Sequence, residues 1–266
     1  MKNKLKARLA AGQVAVGCQM RYGTPAIVEL FGLAGFDWLL LDTEHAPQTP
    51  TGIQQQLQAA GCTEATTLVR VHQNDPDLIK LYLDMGAMGI VVPFINTPEE
   101  AEKGASACRY PPRGIRGFGP HRAYGYGTVA MREYYDIFDD EVVFFPIIES
   151  AEAIDNIDAI YAVEGVDACI IGPVDLAISL GVPFDFECDV FLDAQRKVAE
   201  AAKRAGKPAC TGLPGSPLEG AGDKVKQLVQ EGFSLILAGG DEPFLNVMCK
   251  TVTDSLAACK ELQWKS

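Results

Sequence analysis

The chain is short of the residues that mark several common chemistries. It has three histidines in 266 residues, His45, His72 and His121, far apart in sequence. A histidine-rich zinc site is therefore not expected. The eight cysteines (Cys18, Cys62, Cys108, Cys169, Cys188, Cys210, Cys249, Cys259) include no Cys-x-x-Cys pair. They read most simply as reduced cytosolic thiols, several of them acting as small hydrophobes inside apolar runs. No apolar run is long enough to span a bilayer. The basic start MKNKLKARLAAGQ is followed by no apolar core, which argues against a signal peptide and for a cytoplasmic protein. Positive charge is in deficit, with a formal net charge of −12. That excess disfavours nonspecific binding to nucleic acid or anionic membrane, but a small anionic substrate responds to local charge instead.

What the chain has is a repeated strand-then-helix rhythm. Eight short apolar runs read as strands: 15–18, 37–41, 67–71, 88–92, 142–148, 168–171, 207–211 and 234–238. A helical pattern follows each one. The helix starts carry their own signals, with Thr24, Asp75 and Thr97 as N-caps before Pro25, Pro76 and Pro98. Further helices are expected at 52–60, 151–163, 190–206, 223–232 and from GGDEPFL to the C-terminus. The segment 110–141, beginning RYPPRGIRGFGPHRAYGYG, is too rich in Gly, Pro and Arg for an element interior and reads as one long loop. Eight such units in one chain of this length predict a single (β/α)8 TIM barrel, with a doubly wound open sheet as the other arrangement of the same pattern.

The barrel reading puts chemistry at the C-terminal strand ends. Two apolar runs end in carboxylates: VVFFPII in Glu149, and ACII, through Gly172 and Pro173, in Asp175. Two acids at that face suggest a hard divalent cation. Each also suits a helix N-terminus, so a purely structural reading stays open. Asp42, Glu44 and His45 follow the second strand. Arg70 sits in the otherwise apolar third strand, TLVRV, where an unpaired charge is costly. Lysine is missing from the C-terminal end of all eight strands, and Lys207 begins the seventh. Schiff-base chemistry is thereby disfavoured, and carbonyl chemistry would need a metal as Lewis acid. The glycines of LAGGD and TGLPGS follow the last two strands, where many barrels bind phosphate, although close turns use glycine anyway. Arg113, Arg116 and Arg122 in the long loop would either meet an anionic substrate or pin the loop.

Read together, LLLDTEHAP, LVRVHQNDP, YPPRGIRGFG, IIES with EGVDACIIGPVDLAISLG, and AGGDEPFL resemble the HpcH/HpaI aldolase family of class II pyruvate aldolases, nearly end to end. The resemblance implies a metal-dependent aldolase that cleaves a 4-hydroxy-2-oxo acid or a 2-keto-3-deoxy sugar acid to pyruvate and an aldehyde, with Mg²⁺, Mn²⁺ or Co²⁺ as cofactor. It implies Glu149 and Asp175 as metal ligands, Arg70 at the keto oxygen, and His45 with Asp42 in acid/base work. It implies that Asp84 reaches a neighbouring subunit's site and that Gly172, Pro173 and Val174 lie by the substrate carboxylate. It implies a homo-oligomer, hexamer or trimer, of single 266-residue domains with the C-terminal helix exchanged between subunits. The sequence departs from the family after the first strand, where GCQMRYGTP replaces a Leu-Trp run and adds Arg21 near the mouth as a substrate-binding candidate. A citramalyl- or malyl-CoA type lyase and an oxaloacetate decarboxylase would use the same enolate chemistry. A non-enzymatic binding barrel is the reading of a different class.

Overall fold

The computed structural model describes residues 2–213 and 220–262. Eight parallel strands pair in chain order: β1 (Ala15–Met20), β2 (Trp38–Asp42), β3 (Thr66–Arg70), β4 (Gly89–Val92), β5 (Val143–Ile148), β6 (Cys169–Ile171), β7 (Ala209–Gly212) and β8 (Leu235–Gly240). β8 pairs back onto β1 and closes the barrel. All eight expected strands are present, with no end displaced by more than two residues. The open-sheet alternative is excluded by the β8–β1 ladder.

Two layers of side chains explain why the strands are apolar throughout. One set, including Ala15, Trp38, Leu40, Leu68, Val91, Phe145, Ile147, Ile170 and Leu235, fills the barrel interior. The alternate set, including Cys18, Met20, Leu39, Leu41, Val69, Ile90, Phe144, Ile171 and Ile236, packs outward under the helices. A parallel sheet covered on both faces leaves no position for polar alternation. Gly17 belongs to the inner set. A Cβ there would lie 2.2 Å from the Trp38 ring, so the absent side chain makes room for the largest residue in the barrel.

The helices are α1 (Lys4–Ala10), α2 (Pro25–Leu33), α3 (Pro50–Ala60), α4 (Pro76–Asp84), α5 (Pro98–Ala107), α6 (Met131–Glu141), α7 (Ala151–Asp155), α8 (Ile157–Ala162), α9 (Pro173–Ser179), α10 (Asp189–Ala205), α11 (Ala221–Gln230) and α12 (Asp241–Ser255). Thr24, Asp75 and Thr97 occupy the expected N-cap positions, but the Thr24 hydroxyl donates to the Tyr22 carbonyl instead of capping α2. Asp75 accepts from the N–H groups of Asp77 and Leu78, and Thr97 forms a reciprocal capping box with Glu100. The expected helix 151–163 is broken at Asn156 into α7 and α8.

One segment adds an element outside the sequence reading, and another corrects it. The basic N-terminus forms α1, capped by Asn3, whose side chain also donates to the carbonyls of Met88 and Glu141. Leu5 of α1 is fully buried with the interior cluster, so this helix closes the N-terminal end of the barrel. The stretch 110–141 is not one loop, because its last eleven residues form α6, with Tyr134 and Phe138 buried. The Gly-, Pro- and Arg-rich part before it is held by its arginines. Arg122 donates to the carbonyls of Met85 and Leu57 at 3.0 Å each, satisfying the ends of α4 and α3. The buried Arg116 guanidinium lies 4.7 Å from the Tyr110 ring centroid and 4.3 Å from that of Phe138, and pairs with Asp84. Arg113 pairs with Asp140 at the surface.

Candidate active site

β2 and β3 are neighbours in register, and their last rung pairs Asp42 with Arg70. The shared rung brings two inward side chains together at the C-terminal mouth. Arg70 Nε donates to Asp42 Oδ1 at 2.9 Å and Nη2 to Oδ2 at 2.5 Å, a two-pronged contact that fixes the guanidinium plane. Asp42 is fully buried and also accepts from Gln19 Nε2 at 2.8 Å and from the backbone N–H groups of Glu44 and His45. Burial alone would raise the Asp42 carboxyl, but the Arg70 hydrogen bond and charge, with the two N–H groups, hold it below the usual value. Its hydrogen-bonding capacity is thus taken up in positioning Arg70 and the 43–45 turn. Arg70 lies at the mouth between Asp42 and Glu44.

Glu44 is the residue that sequence reasoning left without a role. Its Oε2 lies 3.3 Å from Arg70 Nη1 and 3.5 Å from His45 Nε2. Burial raises the Glu44 carboxyl; Arg70 and His45 pull against it, while Asp42 and Asp175 add to it. His45 is half-exposed and meets Glu44, whereas Asp42 reaches only its backbone. The signal was in the sequence, since Glu44 and His45 share the turn after an inward Asp.

On the other side of the barrel, β5 ends in Glu149, which is 5% exposed. Oε1 accepts the backbone N–H of Phe94 at 2.7 Å. Phe94 follows β4 and holds φ of 50°, a conformation that bulky residues rarely adopt and that persists where the surroundings impose it. Glu149 Oε2 lies against Gly172, where a Cβ would stand 2.5 Å away. Burial pushes the Glu149 carboxyl up to about 7, against the Phe94 N–H; Glu44 and Asp175 add to the rise, and Arg70 offsets part of it. Asp175 is in the first turn of α9 and acts electrostatically on both Glu44 and Glu149. Four of the expected residues, Asp42, Arg70, Glu149 and Asp175, therefore form one electrostatic cluster with Glu44.

The cluster has the chemistry of a hard-cation site. It offers carboxylate oxygens just after β5 and in α9, crowded like charges that a cation would relieve, and Glu149 Oε2 stands directly against the side-chain-free Gly172. Among the described residues no group of three or more His, Cys, Asp or Glu is gathered as a full ligand set, so substrate and water oxygens would have to complete the shell.

Arg21 also lies at this mouth, with Nε 3.6 Å from Asp42 Oδ2. Asp84 does not join the cluster within one chain. It ends α4 and pairs with Arg116. Pro173 and Val174 open α9 beside Asp175, with Val174 partly exposed. The phosphate reading of LAGGD meets a specific obstacle: the buried Asp241 carboxylate itself accepts the N–H groups of Arg21, Tyr22 and Glu242. The turn after β7 continues into 214–219, which lie outside the described residues. No described strand carries a lysine, and Lys207 instead donates to the carbonyls of Tyr161 and Val163.

A family model, HpcH/HpaI aldolase/citrate lyase, matches residues 17–241. The chain belongs to that family. A 5-keto-4-deoxy-D-glucarate aldolase of Escherichia coli is 46% identical over 180 residues, 67% of this chain and 70% of the relative. Among HpcH/HpaI structures, a family protein from Burkholderia cenocepacia superposes with a TM-score of 0.88 at 30% identity, covering 96% of this chain and all of that one. The citrate synthase SbnG superposes with a TM-score of 0.84 at 26% identity, covering 97% and 98%.

Proposed function

We propose that this HpcH/HpaI family member is a class II pyruvate aldolase, a carbon–carbon lyase that reversibly cleaves a 4-hydroxy-2-oxo acid or 2-keto-3-deoxy sugar acid into pyruvate and an aldehyde. The observation that carries the reading is the facing of two groups across one mouth: the buried Glu149, with Asp175 in electrostatic range, and the Arg70 guanidinium held by Asp42. The 46% identity to a 5-keto-4-deoxy-D-glucarate aldolase supports it.

In this reading Glu149 and Asp175 hold a divalent cation, Mg²⁺, Mn²⁺ or Co²⁺, which when bound supplies Lewis acidity to the 2-oxo acid. Arg70 donates to the keto oxygen and stabilises the negative charge that gathers there as the C3–C4 bond breaks. Its plane is set in advance by Asp42, so little reorganisation is needed. His45 takes the proton from the C4 hydroxyl during cleavage and returns one in the reverse direction, with Glu44 beside its Nε2. Gly172, Pro173 and Val174 line the substrate carboxylate, and Arg21 the outer part of the substrate.

Assembly into a homo-oligomer, hexamer or trimer, belongs to the same proposal. α12 buries only Asp241, while Leu245, Met248, Val252 and Leu256 are exposed at helical spacing. An apolar stripe on an otherwise exposed helix is what an exchanged C-terminal helix would bury against another subunit, and Asp84 would meet a neighbouring site in such an assembly.

The test is a retro-aldol screen of 2-keto-3-deoxy sugar acids and 4-hydroxy-2-oxo diacids, read by pyruvate release with each metal supplied. Arg70→Ala and Glu149→Gln should abolish release while remaining folded. Full activity after chelation would remove the metal from the mechanism, and release only from an acyl-CoA substrate would move the protein to the lyase branch of the family.

A further inference from the structure

The loop that leaves β4 holds a backbone conformation that its sequence would not choose by itself. Phe94 has φ of 50°, is 53% exposed, and donates its N–H to Glu149 Oε1 at 2.7 Å. A bulky residue at positive φ is strained and persists only where its surroundings impose the strain. With more than half of Phe94 in solvent, packing of its ring is a weak constraint. The backbone on either side of it has to supply the rest.

Two residues further on, Asn96 uses each of its four polar atoms. Its N–H donates to Glu100 Oε2 at 2.7 Å, and its carbonyl accepts Asn156 Nδ2 at 2.8 Å. Its Oδ1 accepts the Ser150 hydroxyl, and its Nδ2 donates to the Phe94 carbonyl at 3.3 Å. Asn156 is the residue at which α7 gives way to α8, so the break in that helix supplies a donor to this loop. Ser150 follows Glu149 directly and caps α7 through the Ala153 N–H. Asn96 thereby joins the loop after β4, the end of β5 and the first turn of α5 in one network. The chain is fixed before Phe94 by the β4–β5 ladder and after it by Asn96.

We propose that Phe94 and Asn96 are positioning residues for Glu149. Asn96 locks Phe94 at positive φ, and the peptide so oriented holds Glu149 Oε1 in place. The inference rests on the reading above in which Glu149 holds a divalent cation. With the chain fixed on both sides, a residue that cannot keep positive φ must turn the 93–94 peptide and take its N–H off the carboxylate. Glu149 then has to be ordered by the cation itself, at a cost in affinity. Partners that orient a metal ligand are commonly worth about ten- to a hundred-fold in affinity. Glycine at position 94 would keep positive φ without any lock, because it lacks the Cβ that creates the strain.

The experiment titrates Mn²⁺ into chelator-treated protein by calorimetry, with thermal melts beside it. Phe94→Val, whose β-branched side chain resists positive φ, should bind roughly ten- to a hundred-fold more weakly. Phe94→Gly keeps the N–H and the conformation and loses only the ring, so it should bind within about two-fold of wild type or more tightly. Asn96→Ala should weaken binding as Phe94→Val does. Adding Phe94→Gly to Asn96→Ala should recover most of that loss, a rescue that a merely structural role for Asn96 does not give. Wild-type affinity in either Phe94→Val or Asn96→Ala overturns the inference. A Phe94→Gly variant as weak as Phe94→Val also overturns it, by placing the effect in the ring. Glu149→Gln separates this failure from failure of the reading beneath it. If Glu149→Gln loses the cation and Phe94→Val does not, only the positioning role falls. If Glu149→Gln binds like wild type, or wild type takes no cation, Glu149 is not a ligand and both fall.

Discussion

Gly172 and Glu149 are packed so closely that no side chain fits between them. A Cβ on Gly172 would lie 2.5 Å from Glu149 Oε2, 2.9 Å from Glu149 Cβ and 3.1 Å from Ile147 Cγ2. The backbone of Gly172, with φ −88° and ψ 92°, is open to any residue, so the constraint is the neighbour and not the turn. Gly172→Ala should therefore push the carboxylate off its place against Phe94. We expect a loss of about 1–3 kcal/mol in stability from overpacking, together with at least a ten-fold weaker divalent-cation affinity. Thermal melts and calorimetric metal titration measure the two effects separately. An alanine variant with wild-type cation affinity would show that Glu149 is not a ligand.

The raised Glu149 carboxyl makes both stability and metal binding depend on pH, in opposite senses. An unfolded Glu titrates near 4.3, while the folded group titrates at about 7, chiefly through burial. Between those values the folded, metal-free protein holds a proton that the unfolded chain has released. Its stability therefore falls as pH rises through that window. A cation needs the carboxylate, so its affinity should rise about ten-fold per pH unit below 7 and level off above. Melts in chelator from pH 5 to 8 should show the decline, and Glu149→Gln should lack it. A flat profile in the wild type would mean that the carboxyl is not protonated in the folded state.

Asp42 and Arg70 should behave as one unit. Arg70→Lys keeps the charge but loses the two-pronged contact and the fixed plane. It should lower kcat by roughly a hundred-fold, comparable to removing one oxyanion donor. Arg70→Ala leaves the fully buried Asp42 without its main partner and should cost about 3–5 kcal/mol. Because Arg70 holds the Asp42 carboxyl below its usual value, the stabilisation is present above the ordinary aspartate range and is lost as pH falls through the lowered value. Acid unfolding of the wild type against Arg70→Ala tests this, and the two stability curves should converge at low pH.

The strand ends were legible because a covered parallel barrel writes its strands as unbroken apolar runs, and the polar residue closing each run marks the mouth. Asp42 and Glu149 stood out on that rule, and Arg70 stood out as a charge inside an otherwise apolar strand. Glu44 did not, because its part depends on a turn that folds its side chain back toward Arg70, and such a turn has no period. Gln19 was hidden for a related reason. A neutral amide near a strand end looks like any surface residue until the register puts it in the inward series with Gly17. Helix α6 was masked by its neighbours, since the Gly-, Pro- and Arg-rich segment before it is ordered by distant partners, Met85, Leu57 and Asp84. Local composition says nothing about contacts that far apart in sequence.

Helix α12 sets the last prediction. Phe244, in its first turn, packs against Phe31 and Phe36 with ring centroids 5.9 and 6.2 Å apart, and Asp241 ties its start to the β1 turn. Beyond that anchor, Leu245, Met248, Val252 and Leu256 are 40–52% exposed and spaced to share one face. Burying such side chains against another subunit contributes about 1.5–3 kcal/mol for each one fully covered. Met248→Glu with Val252→Glu should therefore shift the protein to a smaller species at micromolar concentration in light scattering, with the barrel's far-ultraviolet dichroism unchanged. If Asp84 reaches a neighbouring site in the assembly, the same double variant loses aldolase activity in parallel with the loss of assembly, and both recover together as concentration is raised. A variant that stays assembled would mean that this face is not an interface, and one that dissociates with full activity would separate Asp84 from the chemistry.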